Sequence, residues 1–94
     1  MDRQAYVDRI KARLDEWNAE IDRLEAKARG MEAEARIRYD TQIKELRAQR
    51  DQAEEKLRAA RSASDAAWDD MREGFVEAWE AVSTGFRDAV KRFG

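Results

Sequence analysis

The sequence predicts an all-α protein, and the prediction rests on composition and on two helical repeats. The 94 residues include no proline and only four glycines, and 43% of them are charged. This composition is typical of long helices and coiled coils, in which helix breakers are scarce and charged side chains cover the solvated faces. The length suggests a single domain, and we expect a narrow apolar seam between helices instead of a wide core.

A heptad pattern that begins at Val7 predicts the first helix. Apolar residues step by three and four, a spacing that keeps them on the buried face of a coiled-coil helix. The series comprises Val7, Ile10, Leu14, Trp17, Ile21, Leu24, Ala28, Met31 and Ala35. Two steps of four through Tyr39 then form a stutter, which loosens the supercoil without ending the helix. The pattern resumes with Ile43, Leu46, Arg50, Ala53, Leu57 and Ala60.

Gly30 leaves two architectures open. The step from Ala28 to Met31 runs straight across it, and no Ser, Thr, Asp or Asn follows to begin a new helix. The leading prediction is therefore one helix over residues 3–61, in which the glycine costs about 1 kcal/mol. The alternative is a turn at Gly30, which would give a compact three-helix bundle.

The last thirty residues repeat every eleven and predict a second helix over residues 65–92. Before it, Ser62-Ala63-Ser64-Asp65 offers two serines that can cap a helix. Eleven residues make almost three helical turns, so equivalent positions stay on one face. The resulting aromatic stripe comprises Trp68, Met71, Phe75, Trp79, Val82, Phe86, Val90 and Phe93. Small residues border one edge of the stripe, which suits the close approach of a neighbouring backbone.

The predicted fold is an antiparallel coiled-coil hairpin in one domain, with a heptad helix in residues 1–61 and a fold-back helix in residues 62–94. We expect the stripe of the second helix to face Ile43, Leu46 and Leu57. Because the second helix is about half as long as the first, part of the first seam would stay uncovered. That part comprises Leu14, Trp17, Ile21 and Leu24. We expect it to pair with a second copy, in a homodimer or a larger helical assembly.

Composition also excludes several kinds of chemistry. The 19 basic and 21 acidic residues give a net charge of −2, which offers no general attraction for nucleic acid. There is no cysteine and no histidine, so thiol chemistry and the usual helical-bundle metal sites are excluded. Carboxylates such as Glu16 and Glu20 fall on polar faces, and Gly74 and Gly85 do not form a phosphate loop. We therefore expect no enzyme activity, no metal and no cofactor.

The relation of the chain to membranes has two interpretations. No apolar run approaches the roughly 18 residues of a membrane span, and Asp2 stands where a signal peptide would be basic, so we expect a cytoplasmic protein. Eleven-residue amphipathic repeats are nevertheless typical of helices that lie on lipid surfaces. Residues 65–94 carry four basic and seven acidic side chains, a net charge of −3 that disfavours such docking.

Two segments have the most distinctive sequences in the chain. They are LDEWNAEID, residues 14–22, and SDAAWDDMREG, residues 64–74. With the longer stretches 6–28, 39–57 and 63–79, they resemble a family of small bacterial coiled-coil stress-response proteins that has cyanobacterial salt-stress members. The resemblance implies a soluble helical protein without catalytic residues, and Gly30 departs from the uninterrupted helix it implies.

The function expected from these observations is that of a non-enzymatic, stress-related structural or interaction protein, acting through helix–helix self-association. The alternative is a peripheral protein that docks its C-terminal helix on a membrane surface.

Overall fold

The computed structural model describes residues 2–93, which form three α-helices packed into a bundle, so the all-α prediction is confirmed. Helix α1 spans Arg3–Arg29, α2 spans Ala33–Ser62 and α3 spans Asp65–Lys91. The helices run up, down and up, and the bundle measures 53 Å along its axis and 17 by 16 Å across it. No strand occurs within residues 2–93.

The predicted continuous helix over residues 3–61 is replaced by α1 and α2, because the chain reverses at residues 30–32. The Gly30 amide donates to the Lys27 carbonyl oxygen at 3.2 Å, which tightens the last turn of α1. Glu32 is extended and begins α2 without any hydrogen bond from its side chain. The reversal of the chain loses a few helical hydrogen bonds, but it allows α2 and α3 to cover the apolar seam of α1 within one chain. That apolar burial outweighs the missing N-cap.

Side chains cap the N-termini of α1 and α3, and the cap of α3 is one of the two serines that the sequence offered. The Asp2 carboxylate accepts from the Ala5 amide at 2.7 Å, and the Ser64 hydroxyl accepts from the Ala67 amide at 3.1 Å. Arg3 then ties the start of α1 to the turn between α2 and α3. Its guanidinium donates to the Ala63 carbonyl oxygen and, at 2.8 Å, to the Asp65 carboxylate. These hydrogen bonds connect α1 to the segment between α2 and α3 at this end of the bundle.

Helix α2 packs closely against both other helices, whereas the backbones of α1 and α3 stay further apart. The cause is the composition of α3, which presents rings to α1 and small residues to α2. A Cβ atom added to Gly85 would lie 3.0 Å from the Gln49 side-chain oxygen. Gln49 thus occupies the space that the missing side chain leaves. At the other interface of α2, the Arg50 guanidinium donates to the Asn18 side-chain oxygen at 3.3 Å.

The two mid-helix glycines of the repeat provide a matched pair of substitutions. Gly74→Ala should raise the free energy of unfolding by about 0.5–1 kcal/mol, because alanine favours helix and an added Cβ meets no atom within 4 Å. Gly85→Ala should gain less or lose stability, because Gln49 must move aside. Urea unfolding followed by circular dichroism at low protein concentration measures both changes. Equal gains would show that α2 does not press on Gly85.

Candidate functional site

The largest chemically distinctive feature is the layer of aromatic rings between α1 and α3. At the end of the layer near the start of α1, the centroid of the Tyr6 ring lies 5.3 Å from that of Trp68 and 6.0 Å from that of Phe75. The Tyr6 hydroxyl donates to the Phe75 carbonyl oxygen at 2.7 Å. Only 1% of Tyr6 is exposed, and its burial raises the pKa of its hydroxyl to about 12. The hydroxyl is thereby held neutral, as a structural donor inside the bundle.

The middle of the layer centres on Trp17. Its ring stacks nearly parallel to those of Trp79 and Phe86, with centroids 5.2 Å and 4.2 Å away. At the upper end, the Tyr39 ring meets the Phe93 ring edge to face at 4.7 Å. The contacts of Tyr6 and Trp17 join α1 to α3, whereas the Tyr39 contact joins α2 to the residues that follow α3. All of them lie within a single chain.

The α1 residues expected to pair with a second copy are buried inside the chain instead. These residues are Leu14, Trp17, Ile21 and Leu24, and none is more than 7% exposed. The reversal at Gly30 shortens α1 to 27 residues, the same length as α3, so no uncovered half of the seam remains. In this arrangement the seam of α1 is covered within one chain and does not require a partner.

The other predicted packing residues divide into three groups. Those that the structure buries in the core are Ile43, Leu46, Leu57, Trp68, Phe75, Trp79, Val82 and Phe86. Val90 is half-buried against that core. Met71 is 53% exposed, so its expected place in the packed stripe was wrong. It lines a groove between α2 and α3 together with Lys56 of α2.

Tyr6 is the core residue that the heptad series omitted. The series begins at Val7, but Tyr6 lies four residues before Ile10 and so shares its helical face. That spacing was the available signal. The partner of its hydroxyl could not be inferred, because the Phe75 carbonyl oxygen is 69 residues away in the sequence.

Two of the surface grooves beside this core lie along α3. The Met71 groove lies between α2 and α3 and is lined by Lys56, Asp70, Met71, Gly74, Phe75 and Ala78. The arginine groove lies between α1 and α3 and is lined by Arg9, Arg13, Trp79, Glu80, Ser83, Thr84 and Arg87. Seen down α3, the two grooves lie on different sides of the helix, so a change in one can be made without disturbing the other.

Within residues 2–93, no group of three or more acidic side chains is placed to hold a metal ion. None of the helices described is long and apolar enough to cross a membrane. No protein-family model, curated protein or solved structure matches the chain.

Proposed function

We propose that the protein is a non-enzymatic helical interaction protein that pairs with a second copy of itself through α3. The observation that carries the proposal is the exposure of Met71 in an otherwise well-covered apolar stripe. Beside it, the surface at Gly74 is open, with no atom within 4 Å of an added Cβ. A large apolar side chain next to an open glycine suits contact with another helix.

The spacing of the Met71 groove makes it complementary to itself. Met71 lies three residues before Gly74, and Ala78 lies four residues after it, so all three share one face of α3. In a two-fold antiparallel crossing centred on Gly74, Met71 of each copy would lie over Ala78 of the other. The glycine at the crossing point lets the two backbones approach.

Charges at the rim support the same pairing. Lys56 lies on the α2 side of the groove and Asp70 lies on the α3 side. A two-fold axis through the groove brings the lysine of one copy toward the aspartate of the other. An exposed pair of this kind contributes at most about 1 kcal/mol, so it favours the orientation more than the affinity.

Met71→Glu tests the pairing, and Ile37→Glu is its matched control. Both side chains are exposed, at 53% and 67%, so neither change should unfold the chain. We expect the unchanged protein and Ile37→Glu to form dimers in sedimentation velocity, and Met71→Glu to remain monomeric at the same concentrations. A monomeric unchanged protein, or equal loss in both variants, would refute the proposed interface.

The proposal includes the compact three-helix arrangement as the form in solution, in preference to the long hairpin. X-ray scattering from Met71→Glu should give a maximum dimension near 60 Å, because the bundle axis measures 53 Å before side chains and hydration are added. A hairpin with one helix over residues 3–61 would extend to about 90 Å. That larger value would reject the arrangement.

The membrane alternative requires α3 to leave the bundle, because the rings that would enter lipid are covered by α1. Tryptophan fluorescence should therefore be blue-shifted already in buffer and unchanged by liposomes of phosphatidylcholine alone. A shift that appears only with liposomes would favour the lipid surface instead. A cytoplasmic setting and a role under stress complete the proposal, the latter drawn from the resemblance described above.

A further inference from the structure

The arginine groove is rich in positive charge, although α3, which forms one of its walls, belongs to a segment with a net negative charge. Residues 65–94 are net −3, yet the groove is lined by three arginines, Arg9, Arg13 and Arg87, and by one acidic residue, Glu80. The fold creates this local excess, because two of the arginines come from α1 and the third comes from α3. Neither helix alone would have it.

The donors in the groove are largely unused by the protein itself. Arg13 pairs with Glu16 at 3.1 Å, whereas Arg9 and Arg87 make no ion pair or hydrogen bond within residues 2–93. The Ser83 and Thr84 hydroxyls lie in the same lining, and the buried Trp79 ring forms part of the wall. The groove therefore offers several N–H and O–H donors that point to an anionic ligand.

Phosphoryl groups are the anions that this set of donors fits best. A guanidinium presents a planar fork of N–H groups that matches two oxygens of one phosphate, and hydroxyls add single donors. The three arginines are spread over several helical turns, so one phosphate cannot reach all of them. We propose that the arginine groove binds a ligand that carries two or more phosphoryl groups.

Titration of the protein with inorganic tripolyphosphate tests this proposal, followed by tryptophan fluorescence, to which the lining residue Trp79 contributes, and by calorimetry for stoichiometry. We expect saturable binding of one tripolyphosphate per chain. Arg87→Gln should weaken it about tenfold, through loss of a charge-assisted pair. Glu80→Gln should strengthen it, because it removes the one opposing carboxylate of the lining.

Arg38→Gln is the matched control, since it removes the same charge from α2, outside the groove lining. The affinity of this variant should stay within about twofold of that of the unchanged protein. Equal weakening by Arg38→Gln and Arg87→Gln would overturn the proposal, because it would indicate attraction by net charge alone.

Vesicles distinguish a soluble ligand from a lipid headgroup with the same chemistry. The comparison uses phosphatidylcholine vesicles with and without 5% phosphatidylinositol 4,5-bisphosphate (about 1 lipid in 20). Binding to tripolyphosphate alone would support a soluble ligand, and Arg87-dependent binding to the phosphorylated vesicles alone would support a headgroup. Binding to neither would overturn the proposal, whatever the outcome for self-association, which depends on a different groove.

Discussion

Trp17→Ala should lower the free energy of unfolding by about 3–5 kcal/mol, the usual loss when a large aromatic side chain is removed from a core. Trp17 is only 7% exposed, and its ring stacks on both Trp79 and Phe86. Its removal leaves a cavity that the two remaining rings cannot close, because each is held by α3. Urea unfolding followed by circular dichroism measures the change.

Trp17→Phe is the control for this substitution, since it keeps a stacking ring and should lose less than half as much stability. The comparison should be made at two protein concentrations. If Trp17 packs within its own chain, the loss will be the same at both. A loss of stability that depends on protein concentration would indicate that Trp17 lies at an interface between copies. A loss below about 1 kcal/mol would indicate that Trp17 is not part of the core.

Alkaline pH should destabilise the protein through Tyr6. Its hydroxyl has a pKa of about 12 in the folded chain, against an ordinary value of 10.0, because burial disfavours the charged form. The folded pKa is raised, so the stability that Tyr6 contributes is fully present below pH 10. It is lost as the pH rises from 10 through 12, by about 2–3 kcal/mol in all.

Tyr6→Phe isolates this effect from the titration of lysines, which is common to both proteins. At neutral pH the variant should lose about 0.5–1.5 kcal/mol, because the hydrogen bond to the Phe75 carbonyl oxygen is missing. Between pH 10 and 12 its stability should fall less steeply than that of the unchanged protein. If the urea midpoints of the two proteins decline equally between pH 10 and 12, the ionisation of Tyr6 does not contribute to the loss of stability.

Local sequence patterns predicted much of the fold because they reflect local physics. Apolar periods of seven and eleven place side chains on one helical face, whichever neighbour covers that face. The Ser64 cap depends on a hydroxyl three residues from the amide it accepts from, so it too was visible in the sequence.

The sequence was less informative where the outcome depended on distant contacts. Few turn-forming residues surround Gly30, and no residue near it in the sequence indicated that α3 would pack against α1. The exposure of Met71 likewise depends on how α2 packs beside α3, where Lys56 lines the same groove. The periodicity assigned Met71 to the stripe, but the width of the covered face is set by the neighbouring helices.

By itself, the sequence determined that the chain is helical, which faces are apolar, and that thiol and histidine chemistry are absent, because these follow from residue types and their local spacing. The tertiary structure decided where the chain reverses, which helix covers Trp17, and which surfaces stay open. Those outcomes depend on the total apolar area that one chain can bury against itself. That sum runs over residues far apart in the sequence, so no local pattern contains it.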